Sequence, residues 1–491
     1  GLFYQLQKDE KGFIIVGLLF ILTGVAIVVY LNSPPVEPRE RDYIYVGSFY
    51  AFAMWIGFGV LAISEWLKKV IAAENLRPLV AGGLAMVVPA LMGFKGWDNH
   101  NRSGRFHSID QAKNTLRSCA KNAVLFTGGD NDTFPLWYVQ DVEEFRTDVR
   151  VLVLSYYATD WYIEQTRRKT YDSEPLPYSL AFDNYKSGTN DFIPYVENPN
   201  VKNGIDLKEY LTLVSKNSEA LLVELQGGGA TMSIPSKVLF YDVDKEAVLK
   251  NNVVPKSKQN RIVSRMNFKM KNGVSYLMKS DLLLLDLIAT SNWSRPIYFN
   301  NTSARSLNFE VRDYLQMEGM AYRMIPVKAE TMNGELGEVE AEIMAKNMAT
   351  FEFRGFENPN AYHDEEYRKF GANERECFQR LAMQQFLDGK RKLAIQTLDS
   401  SLIKIPDFSI PYDYDYHLPK YVAAYHLFGD DKKAEALRNE LLTRTERNLK
   451  FAEKNNSFHY SSLKDFSLMI MQQLMLGYRN NAEREGMLAT Y

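Results

Sequence analysis

The chain has 491 residues, of which 46% are hydrophobic and 24% charged, an ordinary balance for about two to four folded units. A formal net charge of −2 excludes the basic footprint of a nucleic-acid binder, so no nucleic acid is expected as a partner. Mean hydropathy of −0.28 describes a chain that mostly faces water, which confines any membrane content to local stretches.

Three such stretches open the chain. Residues 12–31 carry no charge and have the length that crosses a hydrocarbon core. Residues 46–67 form a second span, charged only at Glu65, and residues 78–94 a shorter third one interrupted by Pro89. The first is too long for a signal-peptide core and no cleavage pattern follows it. Lys8, Lys11, Lys68, Lys69 and Arg77 gather on one side of these spans, and Arg39 and Arg41 on the other. The positive-inside rule then puts the 32–43 connection, and everything after Phe94, outside. In a bacterium that is the periplasmic side of the inner membrane. Because the chain starts at Gly1 and enters its first span almost at once, it reads as the later part of a longer polypeptide.

The 32–43 connection concentrates Glu37, Arg39, Glu40, Arg41 and Asp42 among three prolines. Arginine offers a planar fork that matches phosphate, so Arg39 and Arg41 are candidate lipid-phosphate ligands, with Glu37, Glu40 and Asp42 orienting them. The alternative is a set of ion pairs that locks the loop. Beyond the third span, "WDNHNRSGR" brings Asp98, His100 and Arg102 to the membrane exit, either lining the same cavity or forming a polar tether with Trp97 as interfacial anchor.

From there strands and helices alternate. Residues 123–126 read as a buried strand, followed by a glycine turn and a helix opening near Thr133 and Pro135. Residues 149–155 repeat the plan before a helix capped by Thr159 or Asp160. Successive strand–helix units predict a parallel or mixed sheet, and they bring Asp130, Asp132 and Asp160 to the carboxyl ends of neighbouring strands, where open α/β sheets hold ligands. Those aspartates are helix caps or a metal- or sugar-binding edge. "KVLFYDV" is a strand, "RMNFKMKNGVSYLMK" a hairpin turning at Asn272 and Gly273, and "DLLLLDLIATSNW" a helix apolar all round and therefore buried. "RPIYFNN" returns as a strand, "LNFEVRDYLQMEG" as a helix and "AYRMIPVK" as a strand. Residues 170–232 and 329–360 read as polar insertions.

From residue 364 the pattern is helical. Leu381, Ala382, Phe386, Gly389, Ala394, Leu398 and Pro406 follow the order of a tetratricopeptide unit, and Gly429, Ala434 and Leu437 repeat part of it. The tyrosine–aspartate insert at 410–417 either holds a sugar or peptide or packs the hinge. Cys119 and Cys377 are either a disulfide pair or two buried thiols. The expected organisation is membrane helices over 1–96, an α/β domain over 97–330, a linker over 331–363 and a helical tetratricopeptide-like region over 364–491.

Together "PPVEPRERDYIYVGSFYAFAMWIGFGV", "WDNHNRSGR", "LFTGGDNDTFPLWYVQDVE", "ATDWYIEQ", "KSDLLLLDLIATSNWSRPIYF" and "YLQMEGMAYRMIPVK" resemble, over about residues 12–440, bacterial membrane proteins related to protein O-mannosyltransferases. The resemblance implies a GT-C type glycosyltransferase that moves a sugar from a polyprenyl phosphate donor to exported or envelope proteins, working against membrane lipid. It requires no cofactor beyond that donor and admits a divalent metal ion, although no metal-ligand set is legible. The family's catalytic acid sits in a first periplasmic loop that has no counterpart here, so the catalytic residues stay unassigned. A non-catalytic membrane scaffold that recruits envelope or secretion-complex proteins is the competing expectation.

Overall fold

The computed structural model describes residues 1–32, 41–225, 228–331, 334–455 and 460–482. The chain divides into two compact units, Gly1–Ser103 and Gly104–Tyr491.

The first unit holds three helices long and apolar enough to cross a membrane: Glu10–Leu31, Asp42–Lys69 and Leu76–Trp97. Their outward faces are leucine, isoleucine, valine and phenylalanine left exposed, the pattern of a surface solvated by lipid. Small residues bring the first two together: Gly24 lies against Ser48, whose hydroxyl donates to the Phe20 carbonyl at 3.1 Å, and Gly47 lies against Thr23. The buried Gln5 side chain accepts from the Trp55 indole at 2.8 Å, satisfying both polar groups away from water. The third helix is two segments, Leu76–Ala85 and Val87–His100, broken at Met86. Pro89, which has no N–H to offer four residues back, explains the break there.

The second unit is built on a six-stranded sheet. In chain order its strands are β1 (Val124–Thr127), β2 (Arg150–Val153), β3 (Ile297–Phe299), β4 (Leu315–Met317), β5 (Tyr322–Met324) and β6 (Glu338–Val339), and their spatial order is β6-β4-β5-β3-β1-β2. β1 runs parallel to both β2 and β3, whereas β5 is antiparallel to β3 and β4, so the sheet is mixed. β1 and β2 are buried at every position, which is why they read as continuous apolar runs instead of alternating ones. The helices used below are α1 (His107–Arg117), α2 (Asp130–Asp141), α3 (Asp160–Thr166), α4 (Lys279–Ser291), α5 (Glu365–Leu387), α6 (Arg391–Lys404), α7 (Leu418–Leu427), α8 (Asp431–Asn455) and α9 (Ser461–Ala482).

α4 is buried all round, as its composition requires: Leu282, Leu283, Leu284 and Leu285 are inaccessible to solvent. Its start is closed by Asp281, whose Oδ2 accepts the Met278 N–H at 2.8 Å. The same helix buries Asp286, which accepts two backbone N–H groups and a hydroxyl from Ser179 and Leu180.

Several expected elements differ. The Asn272–Gly273 turn does not close a hairpin: Arg265–Lys269 pairs with Val238–Asp242, and Tyr276–Met278 pairs with Phe192–Pro194. Only Gly273 of the two turn residues has positive φ, so the two-residue turn that would hold a hairpin in register is not formed. The expected helix over Leu307–Gly319 is instead a short 3-10 turn followed by β4, because Gly319, at φ +140°, reverses the chain into β5 and lets the alternate strands pair. The stretches read as insertions and linker are also structured. They carry a helix at Leu207–Ser215, whose Tyr210, Leu211 and Val214 enter the main core, and a helix at Ala341–Met348, whose Met344 and Met348 do the same.

The terminal helices pack as neighbours, α5 on α6, α7 on α8 and α8 on α9, around Ala382, Ala394, Leu398, Tyr421, Tyr425, Ala434 and Leu437. Gly389 and Gly429, both at φ +76°, end α5 and α7 in the left-handed conformation that favours glycine. Cys377, Phe378 and Leu381 of α5 belong to the core of the sheet region, so the helical region shares its base with the α/β region. Cys377 and Cys119 are two buried thiols in different core clusters, not a disulfide.

Where α1 meets α5, charge and imidazole are buried together. His107 Nδ1 stands 3.7 Å from Glu374 Oε2, with both side chains 2% exposed. Arg105 pairs with Asp364, and Asp110 receives the Arg354 guanidinium. Burial, then nearby His363, holds His107 down at about 3, so its imidazole is neutral at pH 7, while burial pushes the Glu374 carboxyl upward. His417 is likewise held at about 3 by burial and by Lys420 and Arg375. An unfolded histidine takes a proton below its ordinary 6.5 and these do not until about 3, so stability falls as pH drops through that window. The His107→Phe/His417→Phe double variant is therefore expected to lose less melting temperature between pH 7 and pH 4 than the native chain. An equal loss in both proteins would refute it.

Candidate functional site

The sequence-predicted positions fall in different places. Glu37, Arg39 and Glu40 lie outside the described residues. Arg41 and Asp42 are exposed where the second membrane helix begins, Arg41 immediately preceding the 3-10 turn Asp42–Tyr45. Asp98 lies in the last turn of Val87–His100, His100 is the exposed end of that helix, and Arg102 is exposed just beyond it.

Asp130, Asp132 and Asp160 do stand at the carboxyl ends of β1 and β2. The helix after β1 starts at Asp130, earlier than Thr133, because extended Gly129 turns the chain directly and its carbonyl accepts the Asp132 and Thr133 N–H groups. No side chain caps it. Asp130 and Asp132 lie inside the first turn, where a carboxylate complements the helix dipole, and Pro135 lies a turn further in. Thr133 is buried and meets Thr127 hydroxyl to hydroxyl at 2.6 Å, which ties α2 to the end of β1. At Gly128 there is no room for a side chain, since a Cβ there would lie 2.4 Å from Thr302. Asp160 is the first residue of α3 and accepts N–H groups from Trp161 at 2.6 Å and Ser187 at 3.0 Å. These bonds, the Ser187 one first, hold its carboxyl below the usual range. All three aspartates therefore have structural work, and among the described residues no three His, Cys, Asp or Glu side chains converge as a metal-ligand set.

An aromatic-walled concavity lies on the outer side of β2, between α2 and α3, with a volume of about 370 Å³. Its wall is aromatic: Tyr156, Trp161 and Tyr162 form a mutually tilted cluster with ring centroids 5.4–6.0 Å apart. Trp137 faces them from α2, and Tyr171 closes the rim by donating its hydroxyl to Asp141 at 2.6 Å. Arg150 is buried beneath. Its guanidinium donates to Thr170 Oγ1, Ser173 Oγ and the Arg168 and Ser173 carbonyls, and burial holds it below the usual arginine range.

With this geometry in view, the family model TMEM260-associated domain 2 matches residues 108–343 of the chain. The matched stretch spans all six strands, α4 and the aromatic cleft, and leaves out the membrane helices and α5–α9. No curated protein and no solved structure matches the chain.

Acids at strand ends do not mark the cleft in the sequence. The available signal was aromatic: Tyr156, Tyr157, Trp161 and Tyr162 follow β2 within one short stretch. Tyr157 goes wholly to the core, Tyr162 joins both core and cleft wall, and Tyr156 and Trp161 face the cleft, a division that depends on how α3 turns back over the sheet.

Proposed function

We propose that this chain is the membrane-anchored portion of a polyprenyl-phosphate-dependent protein glycosyltransferase of GT-C type, with its soluble unit on the periplasmic side of a bacterial inner membrane. The observation that carries the reading is the joining of three membrane-length apolar helices to an α/β unit with a built cleft, in a chain with the motif string quoted above. In this reading Arg41 and its neighbours in the 32–43 connection stabilise the charge that grows on the departing polyprenyl phosphate, as a guanidinium fork at the bilayer surface can. The soluble unit holds exported acceptor proteins, and α5–α8 serve as two tetratricopeptide-like pairs. Those helix pairs also favour a second reading, a scaffold that recruits envelope proteins without transferring sugar.

Deleting the gene is expected to strip glycan from exported proteins, read by glycoproteomics of the periplasm. Arg41→Ala is expected to lower transfer at least tenfold while the protein stays folded and inserted. A glycoproteome unchanged by the deletion would transfer the assignment to the scaffold.

A further inference from the structure

We infer that the cleft beside β2 is a saccharide site built for an acetamido sugar, a hexose bearing an N-acetyl group. The argument begins with the strand edge. Arg150 and Leu154 send their N–H groups to the Ala123 and Thr127 carbonyls of the β1 strand and its flank. The parallel register then turns Val149, Val151 and Val153 away from β1.

An open edge of this kind invites an added strand, but here its neighbours are taken. Gln140 Nε2 donates to the Val149 carbonyl at 2.8 Å. The Tyr162 hydroxyl accepts the Val153 N–H at 3.1 Å. The Val153 carbonyl accepts from Tyr156 and Tyr157 N–H groups. Along the outward edge of β2 that leaves Val151, for whose N–H and C=O no partner is recorded among the described residues, and Val151 lines the cleft. One residue cannot support an extended peptide, which needs a run of such groups. It does match a single amide, accepting its N–H and donating to its carbonyl.

The surroundings fit the rest of such a ligand. The rings of Trp161, Tyr156 and Tyr171 offer flat apolar faces with polar edges, the surface onto which the C–H face of a pyranose stacks. Gln165 stands on the same wall, exposed, with amide donors and an acceptor for ring hydroxyls. A volume of about 370 Å³ lies at the small end of the range for small-molecule sites, suited to a short saccharide.

The inference goes beyond sugar transfer and does not depend on it, because binding here needs no lipid-linked donor. The test uses the whole chain in phosphatidylcholine nanodiscs, with saturation-transfer NMR and calorimetry. N,N′-diacetylchitobiose is compared with cellobiose, which carries hydroxyls in place of the acetamido groups. Diacetylchitobiose is expected to bind with its acetyl methyls most strongly saturated, and at least tenfold more tightly than cellobiose. Trp161→Ala, whose side chain is 57% exposed and outside the core, should lose at least tenfold in affinity. Equal binding of the two disaccharides by the native chain, no binding of either, or displacement of the sugar by an extended Ser/Thr-rich octapeptide would overturn the assignment. The native-chain comparison decides the matter even if the variant fails to fold.

Discussion

Replacing Arg375 with alanine is expected to destabilise the soluble unit by about 3–5 kcal/mol, the cost of breaking a buried ion pair from one side. Arg375 and Asp415 are both inaccessible to solvent, and their side chains meet at 2.7 Å. The guanidinium also donates to the Ile405 and Ile410 carbonyls at 2.7 and 2.8 Å and lies over the Tyr412 ring. It thus gathers the end of α6, the tyrosine–aspartate insert and α5 onto one group. Removing it leaves a carboxylate in a site where burial already raises its pKa, and takes the Arg375 donor from the Ile405 and Ile410 carbonyls. The loss should be larger at pH 7 than at pH 4, because Asp415 can escape its isolation only by taking a proton. Arg375→Lys should fail to rescue, since an ammonium cannot span all three acceptors. The Arg375→Met/Asp415→Leu pair should recover much of the loss. Denaturant unfolding of the four proteins checks this, and a single variant as stable as the native chain would contradict it.

A second large effect is expected at Asp286. It is fully buried in α4, and its carboxylate accepts the Ser179 N–H at 2.9 Å, the Leu180 N–H at 3.1 Å and the Ser179 hydroxyl at 2.5 Å. Asp286→Ala would leave these three donors without an acceptor in an apolar surround, a cost of about 3–9 kcal/mol from about 1–3 kcal/mol for each unsatisfied group. Asp286→Asn, which keeps one acceptor oxygen and the shape, should cost less than half as much. The consequence extends to the cleft, because the strap tied down by Asp286 begins at Ser173, and Ser173 and Glu174 receive the Arg150 guanidinium. Amide hydrogen exchange is therefore expected to rise across 173–180 in Asp286→Ala before the rest of the unit loosens. Uniform exchange along the chain would show that the bond does not position the strap.

The tyrosine–aspartate insert illustrates how far local patterns reach. From sequence it was open whether residues 410–417 hold a ligand or pack a hinge. In the folded chain Asp415 neutralises Arg375, Asp413 accepts from Asn448 at 2.9 Å, and neighbouring Asp407 takes both arms of Arg444. The carboxylates serve the joint between helices. The same holds at β1 and β2, where a strand–turn–helix plan placed Asp130, Asp132 and Asp160 at the sheet edge, while Asp130 and Asp132 sit in the first turn of α2 and Asp160 accepts the Trp161 and Ser187 N–H groups.

What the sequence determined by itself follows from period and composition. Nearly uncharged runs of bilayer length specified the three helices long and apolar enough to cross a membrane, because backbone in lipid must satisfy itself and a helix does so within one segment. Continuous apolar runs specified β1, β2 and β3, and an all-round apolar helix specified the burial of α4. What only the tertiary structure decided is pairing between distant segments. Whether Arg265–Lys269 joins the strand after its turn or the one before it, and whether residues 315–317 extend or coil, depend on partners far along the chain. The cleft depends on the same thing: Gln140 from α2 takes the Val149 carbonyl and Tyr162 from α3 takes the Val153 N–H, on either side of Val151.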